Sequence, residues 1–404
     1  MFFLSLFSIL LAFIYGFEET CIKNNDLFYY SEATTVDMII NRAGSNASLH
    51  CRERLQREIN EYEYNLETCN KKNPDEHLKF STQCPTQNDT LFTHNISTAG
   101  GISYIVLAHK LGMLQRIINI LNDSFVIFVI HVDVRSPVLQ GAIQYLYRGE
   151  TNVYLLPSQL RQTITWGGFS IVNATIQAYK FALSLRNHAF DWIIDISESH
   201  YPLQSSSHIW QHLIQSKQLA FAHINRKPFK PRAFYHFVEC EGSLYLLRPK
   251  SVDLGGMEQY VGSQFKILHR QIAIWLTSDA LPIKYIDYAK NVIIADENFF
   301  ATLLLNSPFC HMIETSFNRL FIIFEPFDHL TPVALNKKKC LVPGAICGRS
   351  PKILELNSTS GSLLTRILNR NDERYFFARK FDPAFPNSLL LADFIDHERH
   401  RSIK

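Results

Sequence analysis

The 404-residue chain lacks the sequence signatures of several large enzyme classes. It has no GxGxxG fingerprint, no Walker loop, no GxSxG elbow and no HExxH helix, so nothing supports dinucleotide, P-loop, α/β-hydrolase or zincin chemistry. None of the eight cysteines forms a CxxC pair, which favours disulfides over zinc or redox chemistry. Charge of one sign is also missing. Lys and Arg total 40 against 37 Asp and Glu, a net charge of +3, and that balance excludes an argument for a nucleic-acid partner. Low hydrophobicity is not among the deficits: 47% of the residues are hydrophobic, with 30 Phe and 17 Tyr, so the chain buries a sizeable core and is not disordered.

One uncharged apolar run stands at the start, Phe2 to Phe17. It falls short of the ~20 residues of a spanning helix, and it has no basic flank beyond the amino terminus. It is read as a cleavable signal peptide or a short signal anchor, residues 1–17, and either directs the chain into the secretory pathway. The even cysteine count agrees, as do the Asn-x-Ser/Thr sequences at Asn46, Asn88, Asn95, Asn122, Asn173 and Asn357. Residues 18–100 read as a polar, disulfide-bearing stem with a helical stretch from Cys51 to Tyr64. Residues 101–404 read as the main domain.

Within that domain, continuous apolar strands alternate with amphipathic helices. Strands are expected at Ile102–Leu107, Phe125–Val132, Asn152–Leu155 and Trp192–Ile196. Helices are expected at Leu111–Leu121, Pro137–Tyr147, Phe169–Leu185 and Ser206–Ile214. This order predicts an α/β fold with a mostly parallel central sheet covered on both faces. Such sheets bind ligands at the carboxyl ends of their strands. The polar residues expected there are His109 and Lys110, His131 and Asp133, Trp166 with Gly167 and Gly168, and Glu198 and His200. The segment His397–His400 lacks metalloprotease spacing and reads as a solvated helix face. There is no Asp-x-Asp pair to hold a divalent metal on a diphosphate, so a diphosphate bound here calls for fixed cations.

The segments YIVLAHK, FVIHVDVRS, TWGGFSIV, DWIIDISESHYPL, GSQFKILHR, DENFFATLLLNSPFC, CGRSP and FARKFD run in this order from Tyr104 to Asp382. Together they resemble glycosyltransferase family 14, which holds the core 2/I-branching N-acetylglucosaminyltransferases and the peptide O-xylosyltransferases. TWGG, Glu239-Cys240, NSPFC, CGRSP and FARKF lean toward the xylosyltransferases, whereas HKLGMLQR suits the branching enzymes. The donor sugar therefore stays open between xylose and N-acetylglucosamine. The resemblance implies a GT-A type, Rossmann-like domain, a UDP-sugar donor, a glycan or glycoprotein acceptor, and inverting transfer without a metal or other cofactor. It also implies a Golgi location with a possible N-terminal membrane anchor.

The family's catalytic base matches Glu297 in Ala295-Asp296-Glu297, although a carboxylate at a helix start also suits the macrodipole. Its diphosphate-binding cations match Arg319 and Lys380, and its nucleotide-contacting Asp matches Asp133. Leu107, His109, Thr165, Trp166, Gly262 and Ser263 match segments that line the donor pocket. The chain departs from the family at His200, where both branches carry Asp. An imidazole there can hydrogen-bond or act as a base near neutral pH. It also keeps alive the reading of a pseudoenzyme that binds a nucleotide sugar or glycan without turnover. The basic segment Asn225–Arg232 is a candidate acceptor loop.

Overall fold

The computed structural model describes residues 48–67, 80–85, 100–225, 235–249, 257–324, 340–342, 346–347, 351–356 and 375–403. The expected signal or anchor, the sequences at Asn46, Asn88, Asn95 and Asn357, and the basic segment 226–232 lie outside these residues. Two compact units make up the chain, Met1–Glu76 and His77–Lys404. In the first, helix α1 (Leu49–Glu67) covers the expected helical stretch, and Cys51 is disulfide-bonded. Among the described residues, no helix is long and apolar enough to cross a membrane.

In the second unit the apolar runs form strands as the sequence predicts. In chain order come β1 (Ile102–Ala108), α2 (Leu114–Leu121), β2 (Val126–Val132), α3 (Pro137–Leu146), β3 (Val153–Leu155), α4 (Ser170–Ser184), β4 (Trp192–Ser197), β5 (His200–Pro202) and α5 (Ser206–Gln215). There follow β6 (Ala220–Asn225), a hairpin of β7 (Tyr235–Cys240) and β8 (Ser243–Pro249), β9 (Val261–His269), α6 (Arg270–Ser278), α7 (Ala280–Ala289) and α8 (Ala295–Asn306). The last elements are β10 (Ile313–Glu314), β11 (Leu320–Ile322), a pair of β12 (Cys340–Val342) and β13 (Ile346–Cys347), β14 (Phe377–Arg379) and α9 (Pro386–Ile403). Helix α2 starts later than expected because Gly112 turns the chain first. Its φ is +50°, a region that penalises any side chain, and a Cβ there would lie 3.0 Å from Glu198 Cγ.

The main sheet has seven strands in the order β10-β6-β9-β4-β1-β2-β3. Strands β4, β1, β2 and β3 are parallel, and β9 is antiparallel to both its neighbours. Because Ala108 lies opposite Val132 and Leu107 opposite Ser197, the three central strands end nearly level. Alternate side chains point to opposite faces. Ile105, Val129 and Ile193 pack with α4, α6, α7 and α8, while Tyr104, Phe128 and Ile194 pack with α2, α5 and α9. Each fully buried side chain of this size stabilises the fold by roughly 1.5–3 kcal/mol, which is why these strands read as mainly apolar runs.

A smaller sheet, β11-β14-β5, adjoins the second cluster. Its register sets Arg379 opposite both Ile322 and His200. Ahead of β1, Phe80 is buried with its ring edge-on to Tyr285 at 5.4 Å, and the Gln83 N–H donates to the Asn306 carbonyl at 2.8 Å. A disulfide joins Cys84 to Cys310, with 5.6 Å between their Cα atoms. Residues 80–84, which the sequence reading assigns to the stem, thus pack within the second unit.

Candidate active site

The level ends of β1, β2 and β4 bring the expected polar residues to one edge. His109, after β1, is 69% exposed at its side chain, and its Nδ1 lies 2.8 Å from Oε1 of Glu198, after β4, which is wholly buried. Leu107 is half-buried and, with Asp195 and Phe265, walls a small cavity beneath that edge. Asp133, after β2, is already engaged. Its Oδ1 accepts from the N–H and Nε of Arg135, and its Oδ2 accepts from an Arg135 terminal nitrogen and the Ile164 N–H, at 2.7–3.0 Å. These donors outweigh partial burial and hold its carboxyl down at about 2. Beside it, an open cleft of about 450 Å³ is lined by Leu111, Arg135 and the first residues of α3.

The TWGG segment forms the next wall. Thr165 is buried and its N–H donates to Ser170 Oγ at 2.8 Å, while Trp166 is 48% exposed. Gly167 has φ +78°, and its carbonyl accepts the Ile294 N–H at 2.7 Å. Gly168 leaves room for Glu239: a Cβ there would lie 2.4 Å from Oε2, the atom that accepts the Ser170 N–H. Ile294 is itself left-handed at φ +52°, which costs a β-branched residue of order 1–3 kcal/mol and persists only where neighbours enforce it. The turn therefore fixes the entry to α8. Glu297 stands half-buried in the first turn of that helix.

Gly262 lies beyond the β4 end on β9, where a Cβ would come within 2.7 Å of the His223 carbonyl, so its place is set by close strand approach. Ser263 Oγ accepts the Phe265 N–H at 3.1 Å. Under this edge, Lys266 on β9 is buried with Nζ 2.6 Å from Asp195 Oδ2, which also accepts from Tyr179 at 2.6 Å. Burial pushes the Asp195 carboxyl up and the Lys266 ammonium down, and their contact opposes both shifts.

His200 is buried and its ring meets Phe265 at 4.3 Å. The Ser197 N–H donates to His200 Nδ1 at 3.0 Å, so the neutral ring carries its proton on Nε2, which has no partner among the described residues. Burial first, and the nearby Arg379 charge second, hold its pKa well below the usual histidine value. Of the two roles the sequence allows His200, hydrogen bonding or a base near neutral pH, this buried neutral ring presents the first. A hydroxyl chain continues from Nδ1 through Ser197 Oγ and Ser199 Oγ, each step 3.0 Å, to Arg379 Nε at 3.4 Å.

The basic residues divide. Lys380 follows β14 at the His200 end and is half-buried. Asp382, two residues on, is bound by Lys110 Nζ at 2.6 Å, which ties the loop after β1 to this segment. Arg319 lies at the other end of β14, about 13 Å from Lys380 by strand rise. Its guanidinium stacks over Phe221 at 4.9 Å and near Phe317 and Phe376, and its carbonyl accepts the Phe376 N–H. The structure does not bring Arg319 and Lys380 together.

Arg379 occupies the place beside Lys380 instead. Its guanidinium lies over Phe265 at 4.5 Å and within the influence of Glu198 and Asp296, and burial lowers its pKa to about 10. No carboxylate among the described residues is within ion-pair distance of it. Sequence reasoning passed it over, although its position next to Lys380 between Phe377 and Phe381 was a signal. Among the described residues one grouping has three metal-type ligands, Cys84, Cys310 and His311, and its two sulfurs are bonded to each other.

The buried imidazoles give this site a pH signature. His131, on β2, has its pKa lowered by burial to about 4, so its unfolded form binds more protons between that value and the ordinary ~6.5. Stability present above pH 6.5 is therefore lost on acidification. His131 alone contributes a loss of about 2 kcal/mol at pH 5, and His200 acts in the same direction. Urea titrations at pH 7.5 and 5 should show this loss, with a smaller loss in His131→Asn. Equal pH sensitivity in the variant would contradict the assignment.

An α/β sheet with polar and basic groups gathered at its strand ends has the layout that binds ligands in the crevice beyond those ends. The family model described as Core-2/I-Branching enzyme matches residues 102–321, and the chain belongs to that family. It is 25% identical over 221 residues to human xylosyltransferase 1, covering 52% of this chain and 22% of that one. It is 24% identical over 303 residues to human xylosyltransferase 2, covering 72% and 33%. The chain thus spans about a fifth to a third of the length of these relatives. Among solved structures, the WbbM bifunctional glycosyltransferase matches with a TM-score of 0.32 and 10% identity, covering 58% of this chain and 43% of that one.

Proposed function

We propose that the protein is an inverting, metal-independent glycosyltransferase of GT-A type that moves xylose or N-acetylglucosamine from a UDP-sugar to a hydroxyl of a protein serine or a protein-linked glycan. The observation that carries this reading is the half-buried pair Arg379-Lys380 at the strand-end edge of a family member. An inverting transfer leaves negative charge on the departing diphosphate, and preorganised cations are what stabilise it when no Asp-x-Asp pair recruits a metal. Glu297 takes the acceptor proton, and Trp166 and the glycines of its turn border the sugar. Arg135 shields Asp133, so uridine or ribose reaches that carboxylate only by displacing a guanidinium donor. The disulfide and the apolar start support passage through the oxidising secretory pathway to the Golgi.

A second reading, a nucleotide-sugar or glycan binder without turnover, is favoured by one observation: the site's imidazole is a neutral donor in a place where the family carries a carboxylate. Calorimetry with UDP in the presence of EDTA tests the shared part of both readings. Binding should persist with chelator and weaken at least ~10-fold in Lys380→Ala, as expected for a charge-assisted phosphate contact of about 1.5–3 kcal/mol. UDP binding that needs a divalent metal would refute the proposed chemistry.

A further inference from the structure

Two Asn-x-Ser/Thr sequences fall within the described residues, and the fold presents them in opposite ways. Asn122-Asp123-Ser124 leaves the end of α2. Asn122 is exposed and extended, with φ −64° and ψ 124°, and Ser124 is exposed as well. Asn152 Nδ2 donates to Asn122 Oδ1 at 2.7 Å and to the Val126 carbonyl at 3.0 Å, which orients the Asn122 amide by its oxygen. The amide nitrogen of Asn122 has no partner among the described residues.

Asn173-Ala174-Thr175 lies instead inside α4. Its Asn173 is half-buried and its Oδ1 accepts from Gln177 at 3.2 Å, whereas the Thr175 hydroxyl is buried and donates to the Ile171 carbonyl at 2.9 Å. The neighbours Val172 and Ala174 are buried, and Val172 belongs to the core cluster that also holds residues of α8. A bulky glycan on this helix opposes the packing of α4, and the hydroxyl that completes the sequence is committed to the backbone.

We propose that Asn122 carries an N-linked glycan and that Asn173 does not. This rests on the secretory reading above. In the step, Asn122 Nδ2 forms a bond to C1 of an oligosaccharide carried on a polyprenyl diphosphate. The C1–O bond to the diphosphate breaks, the diphosphate leaves with the electron pair, and one amide proton passes to a base of the transferring enzyme. The placement is compatible with the active site. Asn122 precedes β2, at the edge of the sheet opposite the ends of β1, β2 and β4, so a glycan there extends away from His109, Glu198 and Lys380. Asn173, in contrast, lies in the first turns of the helix that follows the TWGG turn.

The test uses the full chain secreted from cultured eukaryotic cells, treated with an N-glycosidase in heavy-oxygen water and analysed by peptide mass spectrometry. The peptide holding Asn122 should return as heavy aspartate, and the peptide holding Asn173 as unlabelled asparagine. Ser124→Ala should abolish the label at Asn122, and Asn122→Gln should remove one glycan-sized step in gel mobility. Label elsewhere with Asn122 unlabelled overturns the assignment and leaves the secretory reading standing. A chain with no label at any site overturns both, and label at Asn173 overturns the structural distinction between the two sequences.

Discussion

Replacing Glu297 with glutamine is expected to lower turnover by about 10²- to 10⁴-fold, the usual worth of a positioned general base, while leaving UDP affinity about unchanged. Glutamine keeps the shape and one accepting oxygen but cannot take a proton. The entry to α8 is fixed from outside by the Gly167 carbonyl on the Ile294 N–H, so the substitution does not displace the helix. A carboxylate that serves only the helix dipole gives a different pattern. Its loss costs about 0.3–1 kcal/mol of stability and leaves turnover intact. Single-turnover kinetics and a denaturation curve on the same variant separate the two roles.

Lys266→Met is expected to destabilise the domain by about 3–5 kcal/mol, because it leaves the buried Asp195 carboxylate with Tyr179 and no cation. The ammonium also lies 3.5 Å from the Phe300 ring centre, and methionine recovers that packing but not the charge. Without its partner, Asp195 relieves the strain by taking a proton, so the loss should shrink as the pH falls from 8 to 5. The double variant Asp195→Asn with Lys266→Met should recover most of the stability, since no isolated charge remains. A single variant that loses less than about 1 kcal/mol would contradict the pairing as the reason for this burial.

What the sequence made legible was local. The runs at Ile102, Phe125 and Trp192 are apolar on both sheet faces but for Ser103, His131 and Asp195, because both faces are covered, and they became β1, β2 and β4 within a residue or two. The polar residues after them followed automatically to one edge. What stayed hidden depended on pairings distant in sequence. Nothing local shows that β9 inserts antiparallel between β4 and β6, which is what places Lys266 under Asp195. The pairing of β14 with β5 likewise brings Arg379 beside His200 and takes Arg319 to the far end of the strand, among aromatic rings. Burial of His200 was equally invisible, and it favours the hydrogen-bonding role over the base among the two that the sequence allowed. Phe80 looked like part of a polar stem because its partners, Tyr285 and Tyr288, stand two hundred residues away.

The most direct test of the account is UDP release by the purified chain, presented separately with UDP-xylose and UDP-N-acetylglucosamine with a hydroxyl acceptor and EDTA throughout. The account predicts turnover with one donor that survives the chelator and falls in Lys380→Ala and Glu297→Gln. Silence with both donors, in protein that still binds UDP, would contradict the transferase and leave the binder.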